Sequence, residues 1–344
     1  MISVFIWDEA TKAATWGGAD KLPPPDRIPD CLWIDLEEPT EEEEKLVFES
    51  FFRVHTLSLE DVQKPRREPD GPPHFPKVEE FPDYLFVIVN PLSLNAADNL
   101  LGKAAPAPPL RACGQLSAVL TQRLLITHHY QPLVSVASLN AYLRKHPSQA
   151  GRGPDFLFHH VLDVMVDHYA PLLDHIDAAL DEMEEEVFAR PNSSLLARLL
   201  SLKRVIIHLR KTLVHEREVL ARMFRGEFSL IDDREAVYFR NVYDHLLRFT
   251  EIMEASREMV MDLMQTLLAS QANKLNEVMK VLTMISVTLL PMSLIAGIYG
   301  MNFEAKDTIW WPSLGWRYGM PFALGLMLLS GLGALGFFRW MKWI

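Results

Sequence analysis

The run from Val281 to Phe303, VLTMISVTLLPMSLIAGIYGMNF, holds 23 residues and no charged side chain. At about 1.5 Å of rise per residue a helix over it is roughly 34 Å long, enough to cross a hydrocarbon layer of about 30 Å. It reads as a membrane span, and the rest of the chain has to be arranged around it. Its polar residues, Thr283, Ser286, Thr288 and Ser293, are few and weak, and it closes on Gly300-Met301-Asn302 at the depth where lipid gives way to water. That tripeptide is where the chemistry is expected.

A second uncharged run, Tyr318–Phe338, is 21 residues long, so the last quarter of this 344-residue chain is expected to form a helical hairpin in the membrane. Lys274, Lys280, Arg339 and Lys342 flank the spans, while the connecting loop balances two basic residues against two acidic ones. The positive-inside rule then leaves both termini in the cytosol. The opening MISVFIWDEA has neither a basic n-region nor a long apolar stretch, so no secretory signal is expected. The formal net charge is −11, and the seven charged residues from Lys280 onward sum to +3, which leaves −14 on residues 1–279. A soluble part that acidic disfavours nucleic acid as a partner and suits cations. Cys31 and Cys113 lack metal-ligand spacing and are expected to be reduced thiols.

Ahead of the spans, Ile2–Trp7, Cys31–Leu36, Tyr84–Val89, Gln115–Leu120 and Leu124–His128 carry strand-type patterning, with Pro-rich loops at Pro69–Pro76 and Pro106–Pro109. Pro39-Thr40 before Glu41–Glu44 looks like a capped helix start, and the acidic run is expected to serve capping and solubility. From Asp155 the texture becomes helical: Phe156–Phe188 as one helix stopped by Arg190-Pro191, Ser193–Phe224 as a second ending at Gly226, and a third from Asp232-Asp233 to Tyr299. The expected organisation is an α/β cytosolic domain over 1–150, a long-helix stalk over 151–279, and a first span over 280–303. An external loop (304–317), a second span (318–338) and a cytosolic tail (339–344) follow. A stalk and span in one helix makes sense if it packs on copies of itself.

Several patterns have plain explanations. Gly331-Leu332-Gly333-Ala334-Leu335-Gly336 matches GxGxxG, but it lacks the preceding strand and the distant acid of a dinucleotide site, so it reads as a small-residue packing face. The string His159, His160, Asp163, Asp167, His168, Asp174 and His175 falls on more than one helical face, so a polar face is expected and not a metal cluster. The acids Asp174, Asp177, Asp181, Glu182, Glu184, Glu185 and Glu186 read as a solvated helix end, with cation attraction as the alternative. No nucleophile elbow or phosphate loop is present, so no catalytic residues, no cofactor and no enzyme activity are expected.

Asn276, Met279, Leu282, Ser286, Leu290, Ser293 and Gly297 recur at three or four and form one stripe. In a single-pass anchor that stripe packs against the second span; in a symmetric bundle it lines the axis, with Met279, Leu282 and Leu290 as apolar constrictions that close by dewetting. Gly300 exposes its carbonyl and Asn302 offers a neutral amide oxygen, groups suited to a hydrated Mg²⁺ that dehydrates reluctantly.

On these residues the sequence resembles the CorA family of divalent-cation channels, whose signature is the YGMNF at Tyr299–Phe303. The resemblance extends over WIDLEEPTEEE (Trp33–Glu43), HTLSLEDV (His55–Val62), KVEEFPDYLFVIV (Lys77–Val89), YFRNVYDH (Tyr238–His245) and NEVMKVLTMISVTLLPMSLIAGIYGMNF (Asn276–Phe303). It implies a funnel-shaped homopentamer in a bacterial inner membrane, in contact with lipid, with Gly300, Met301 and Asn302 as the selectivity ring and the stripe lining the pore. It further implies inward passage of Mg²⁺, with Co²⁺ or Ni²⁺, and closure when cytosolic Mg²⁺ binds acids between subunits. Glu304 is kept at the entrance, but AKDTIWWPSLGW replaces the usual acid-bearing loop. Asn241 stands where members often carry a regulatory Asp, with Asp244 retained. The tail has fewer lysines than usual, and Met301 stands where a zinc-transporting branch tends to have Ile. Alternatives are a Zn²⁺ or other transition-metal transporter of the same architecture, and a non-transporting membrane scaffold or metal sensor.

Overall fold

A computed structural model describes residues 1–69, 71–93, 113–189, 193–301 and 317–343. The chain divides into two units, Met1–Met264 and Gln265–Ile344.

In the first unit, strands β1 (Ile2–Asp8), β2 (Ala13–Gly17), β3 (Cys31–Glu37), β4 (Lys77–Glu80), β5 (Leu85–Val89), β6 (Leu116–Leu120) and β7 (Leu124–His129) form one sheet in the order β2-β1-β3-β7-β6-β5-β4. β3 and β7 run parallel and the other named pairs antiparallel. The five expected strands are present within a residue or two. β2 and β4 are additions: AATWG and KVEE each hold one large apolar residue, and both lie at sheet edges where a strand need bury little.

The central strands are buried on both faces, and residue parity sorts their side chains. Ile2, Val4, Leu32, Ile34, Leu36, Phe86, Ile88, Val119, Leu124 and Ile126 form one core with Val47, Phe48 and Val62 from the helical layer below. That layer is α1 (Glu41–Lys45), a π-helical turn (Leu46–Phe51) and α2 (Thr56–Arg67). Thr40 caps α1 as expected, accepting from the Glu43 amide at 3.3 Å while the Glu43 carboxylate accepts from the Thr40 amide at 2.9 Å. The opposite face carries α3 (Val134–Lys145) and α4 (Pro154–Asp167).

The single helix expected over Phe156–Phe188 is two: α4 ends at Asp167 and α5 runs Tyr169–Ala189, with His168 between them. Pro171 accounts for the break, because it has no N–H to offer the Asp167 carbonyl four residues back and its ring crowds that carbonyl. α6 spans Ser193–Phe224, as expected, and Gly226 follows it at φ +70, a conformation glycine adopts without strain. The expected stop at Arg190-Pro191 and the Pro106–Pro109 loop lie outside the described residues.

α7 runs Asp233–Tyr299 without interruption, 67 residues, and accommodates Pro291 within its span. α8 covers Gly319–Trp340. Both are long and apolar enough to cross a membrane. The fold is therefore an N-terminal α/β domain, long helices, and two C-terminal helices of membrane-spanning character.

Candidate functional site

The stripe on α7 sits where a helix of period 3.6 puts it. Asn276, Met279, Leu282, Ser286, Leu290, Ser293 and Gly297 are all exposed in the single chain, with Met279 at 57%, Leu282 at 54% and Leu290 at 68%. Between Val281 and Tyr299 the partly buried positions are Thr283, Met284, Thr288, Pro291, Met292, Ile295 and Tyr299. The two sets are offset by about half a turn, since Ser286 and Thr288 differ by about 200°. At least one member of the buried set meets α8: a Cβ built on Gly331 would run into the Met292 Cε, so the glycine makes room for that methyl. Among the described glycines of α8, Gly325, Gly333 and Gly336 have open space there, so the small-residue face expected of the GxGxxG match narrows to one position. Thr283 and Thr288 each donate to the carbonyl four residues back at 2.7 Å, leaving neither hydroxyl to seek a partner in lipid.

At the end of the stripe Gly300 still donates to Ala296 O at 2.8 Å, and Met301 reaches Ile298 O at 3.4 Å, a tightening of the last turn. A Cβ at Gly300 would sit 3.0 Å from the Ala296 carbonyl, closer than side chains normally come, which is a local reason for glycine there. Met301 is 51% exposed. Asn302 and Glu304 lie outside the described residues.

Asn241 and Asp244 both lie exposed on α7, in the first unit. The histidine and aspartate string does not converge. His159 is buried among Phe156, Tyr238 and Phe239, and burial, with the nearby His160 and Arg152 charges, pushes its pKa down to about 4, so it is a neutral core residue. His160 stacks on Tyr142 at 4.6 Å, while His168 and His175 each use Nδ1 on the carbonyl four residues back, at 2.6 and 2.5 Å. Among the described residues no group of three His, Cys, Asp or Glu is placed to hold a metal ion. The acidic patch on α5 is partly balanced by Arg198, 2.6 Å from Glu186 and 3.7 Å from Glu182.

The family model described as CorA-like Mg²⁺ transporter protein matches residues 30–340. The chain belongs to this family. Among curated proteins it is similar to the cobalt/magnesium transport protein CorA of Thermotoga maritima, 34% identical over 301 residues, 86% of this chain and 78% of the relative. It is also similar to YfjQ, a putative metal ion transporter of Bacillus subtilis, 27% identical over 90% of this chain and 89% of that one. Among solved structures, the complete CorA magnesium transporter of Methanocaldococcus jannaschii shares the fold, with a TM-score of 0.77 at 20% identity and coverage of 100% and 99%.

Within this CorA-family chain, the first unit holds a buried polar network around Glu44 and a half-buried one at Arg152 that the sequence pattern does not announce. Glu44, which in sequence reads as a capping acid like its neighbours, is fully buried. Its Oε1 faces His128 Nε2 at 3.1 Å and accepts from Tyr130 Oη at 2.5 Å, and its Oε2 accepts from Gln63 at 3.0 Å and Arg66 at 2.8 Å. Burial alone would raise its pKa, but the bonds from His128 and Tyr130 and the Arg66 charge prevail and hold it below the usual range. Burial lowers the pKa of His128, which therefore acts as a neutral donor. The second network joins Arg152 to Glu235 near the start of α7. Spacing alone could not have flagged either, because each partner lies on a distant element.

Proposed function

We propose that this chain is a divalent-cation channel that admits Mg²⁺, with Co²⁺ or Ni²⁺ as further substrates, down the electrochemical gradient. The observation that carries the reading is the exposure of the whole Asn276-to-Gly297 stripe on the side of α7 away from its partly buried face. A long apolar helix that leaves this stripe and other apolar side chains such as Ile285, Leu289 and Leu294 uncovered in a single chain suits assembly around an axis, here a homopentamer embedded in lipid, with the stripe turned inward. Met279, Leu282 and Leu290 then form apolar rings that a column of water fills or leaves, while Ser286 and Ser293 give it a foothold.

Gly300, Met301 and Asn302 form the outer ring in this reading, with Glu304 beside it. Neutral oxygens hold a hydrated Mg²⁺ by hydrogen bonds to its waters and release it again, since none of them carries a charge. A divalent ion gains about 4.6 kcal/mol per 100 mV of inside-negative potential, so transport into the cytosol of a bacterial cell needs no coupled hydrolysis. With both termini inside, Asp244 and Asn241 face cytosolic Mg²⁺. Asparagine has one oxygen and no charge, so sensing there is weaker than at a pair of aspartates. The Thermotoga maritima relative is named for cobalt and magnesium transport, and neither a zinc transporter nor a scaffold gains support from it.

The decisive experiment is Mg²⁺ uptake into proteoliposomes by wild type and by Asn302→Ala. Loss of uptake with the oligomer intact is expected, and unchanged flux would refute the selectivity assignment.

A further inference from the structure

Glu216 lies in the C-terminal third of α6 and is fully buried. Its Oε1 accepts from the Asn90 amide at 3.1 Å and faces the Tyr169 hydroxyl at 3.2 Å, so one carboxyl ties α6 to the residue after β5 and to the first residue of α5. Proton counting shows what the site lacks. Tyr169 has one O–H, and the nearer acceptor for it is the Asn90 carbonyl at 2.8 Å. Among the described residues Glu216 Oε2 has no partner, and neither has Asn90 Oδ1, although both atoms are out of contact with solvent. One N–H of the Asn90 side-chain amide is used on Gly114 O at 3.3 Å, and among the described residues the other does not reach the Glu216 carboxyl. The cluster is rich in acceptors and short of one hydrogen, and a proton on Glu216 supplies it.

Among the described residues no Lys, Arg or His acts on the carboxyl, so no cation offsets a charge on it. The titratable groups that face Glu216 are the Tyr169 phenol from α5 and the Cys113 thiol, whose residue bridges to Leu92; burial keeps both neutral, the thiol pushed up to about 12. The segment after β5 contributes only neutral Asn90. Burial drives the Glu216 pKa up to about 8, against the smaller opposing effect of its two bonds.

We propose that Glu216 is a proton-binding site whose bound proton clamps α6 to α5 and to the end of β5, so that this joint loosens as pH rises. The direction follows from linkage. An opened joint hydrates the carboxyl and lets it ionise from its ordinary value near 4.5, whereas the closed joint keeps the proton until about 8. Between those values the closed form binds more protons than the open one, so opening becomes about tenfold easier per pH unit and levels off above. This goes beyond ion conduction: it gives the α/β unit a response to alkaline conditions that does not depend on a divalent cation.

The test uses the full-length protein in detergent. In a Cys31→Ser background, maleimide labelling of Cys113 reports opening, and the ratio of wild type to Glu216→Gln cancels the thiol's own pH dependence. The ratio is expected to climb about tenfold per pH unit between pH 5 and 8 and then flatten. A ratio that does not change with pH overturns the proposal. Glu216→Leu removes the carboxyl by filling the site with apolar atoms and is expected to abolish the slope in the same way; a retained slope refutes the role of Glu216. A third measurement needs no variant: the wild-type Asn90 amide, corrected for intrinsic exchange, should lose hydrogen-exchange protection over the same range, and constant protection refutes the clamp. None of these readouts involves ion flux, so they stand apart from the test of the channel reading.

Discussion

Arg152 grips Glu235 at both carboxylate oxygens, 2.8 Å from each, while its guanidinium lies 3.8 Å from the centre of the Phe156 ring and 4.6 Å from that of Tyr238. The stack holds the planar fork in place, and Glu235 sits in the first turn of α7, so this ion pair helps fix the start of the 67-residue helix to the α/β unit, alongside the Asp155 carboxylate that accepts from the Asp232 amide at 3.0 Å. Arg152→Ala leaves a carboxylate that is 5% exposed without its cation. Because the arginine itself is 32% exposed, water softens the loss, and about 2 kcal/mol is expected from urea unfolding in detergent. Arg152→Lys should restore less than half of it, since an ammonium cannot make the fork. Full rescue by lysine would show that charge alone is needed.

Glu44 makes the α/β unit sensitive to acid. Its folded pKa is depressed below 4.5, so its contribution is complete above that value and disappears as pH falls through the folded pKa. Glu44→Gln should flatten the acid side of the stability profile, at a cost of about 2 to 4 kcal/mol at neutral pH because Arg66 and Tyr130 lose an ionised acceptor. Thermal unfolding between pH 3 and 7 reads both effects, and a variant with the wild-type acid limb would exclude Glu44 as the source.

Gly331 receives the Met292 methyl, and Gly333 faces open space. Gly331→Ala can be absorbed by a swing of the flexible methionine end, but Gly331→Ile overpacks the contact by about 1 to 3 kcal/mol. Gly333→Ile should be neutral in the monomer. Differential scanning calorimetry of the three variants tests the ranking, and equal effects at 331 and 333 would contradict it.

Cysteines at Ser286 and Ser293 should react with a water-soluble thiosulfonate in the assembled protein and lose Mg²⁺ flux on labelling, while one at Met284, on the partly buried side, should not. Protection of both serine positions would mean that the stripe is packed and not wet.

Periodicity carried much of the fold. Ser193–Phe224 and the uninterrupted α7 are legible because long helices repeat their burial pattern many times, and Thr40 with Glu43 is legible because a capping box is local. The split at His168 has a local sign in Pro171, but the apolar spacing on either side masks it. Glu44 looks like its three acidic neighbours in sequence and differs only through Gln63, Arg66, His128 and Tyr130, which the fold brings from elsewhere. Glu216 is hidden for the same reason: a glutamate inside a helix rich in Arg and Lys reads as surface until Asn90 and Tyr169 are seen beside it.

The parallel pairing of β3 with β7 sets an order of assembly. It brings Trp33 against Thr127, 94 residues away, with a side-chain bond of 2.9 Å. Closing so long a loop costs more entropy than closing the β5-β6-β7 antiparallel pairs, which join nearer neighbours. On a ribosome, β1, β2 and β3 emerge first and wait as an incomplete sheet with a bare β3 edge until β7 arrives. Both membrane helices lie C-terminal to that closure, so the soluble unit can complete its sheet before the first apolar span leaves the exit tunnel, and a slow β3–β7 step would expose a sticky edge at the membrane surface during synthesis.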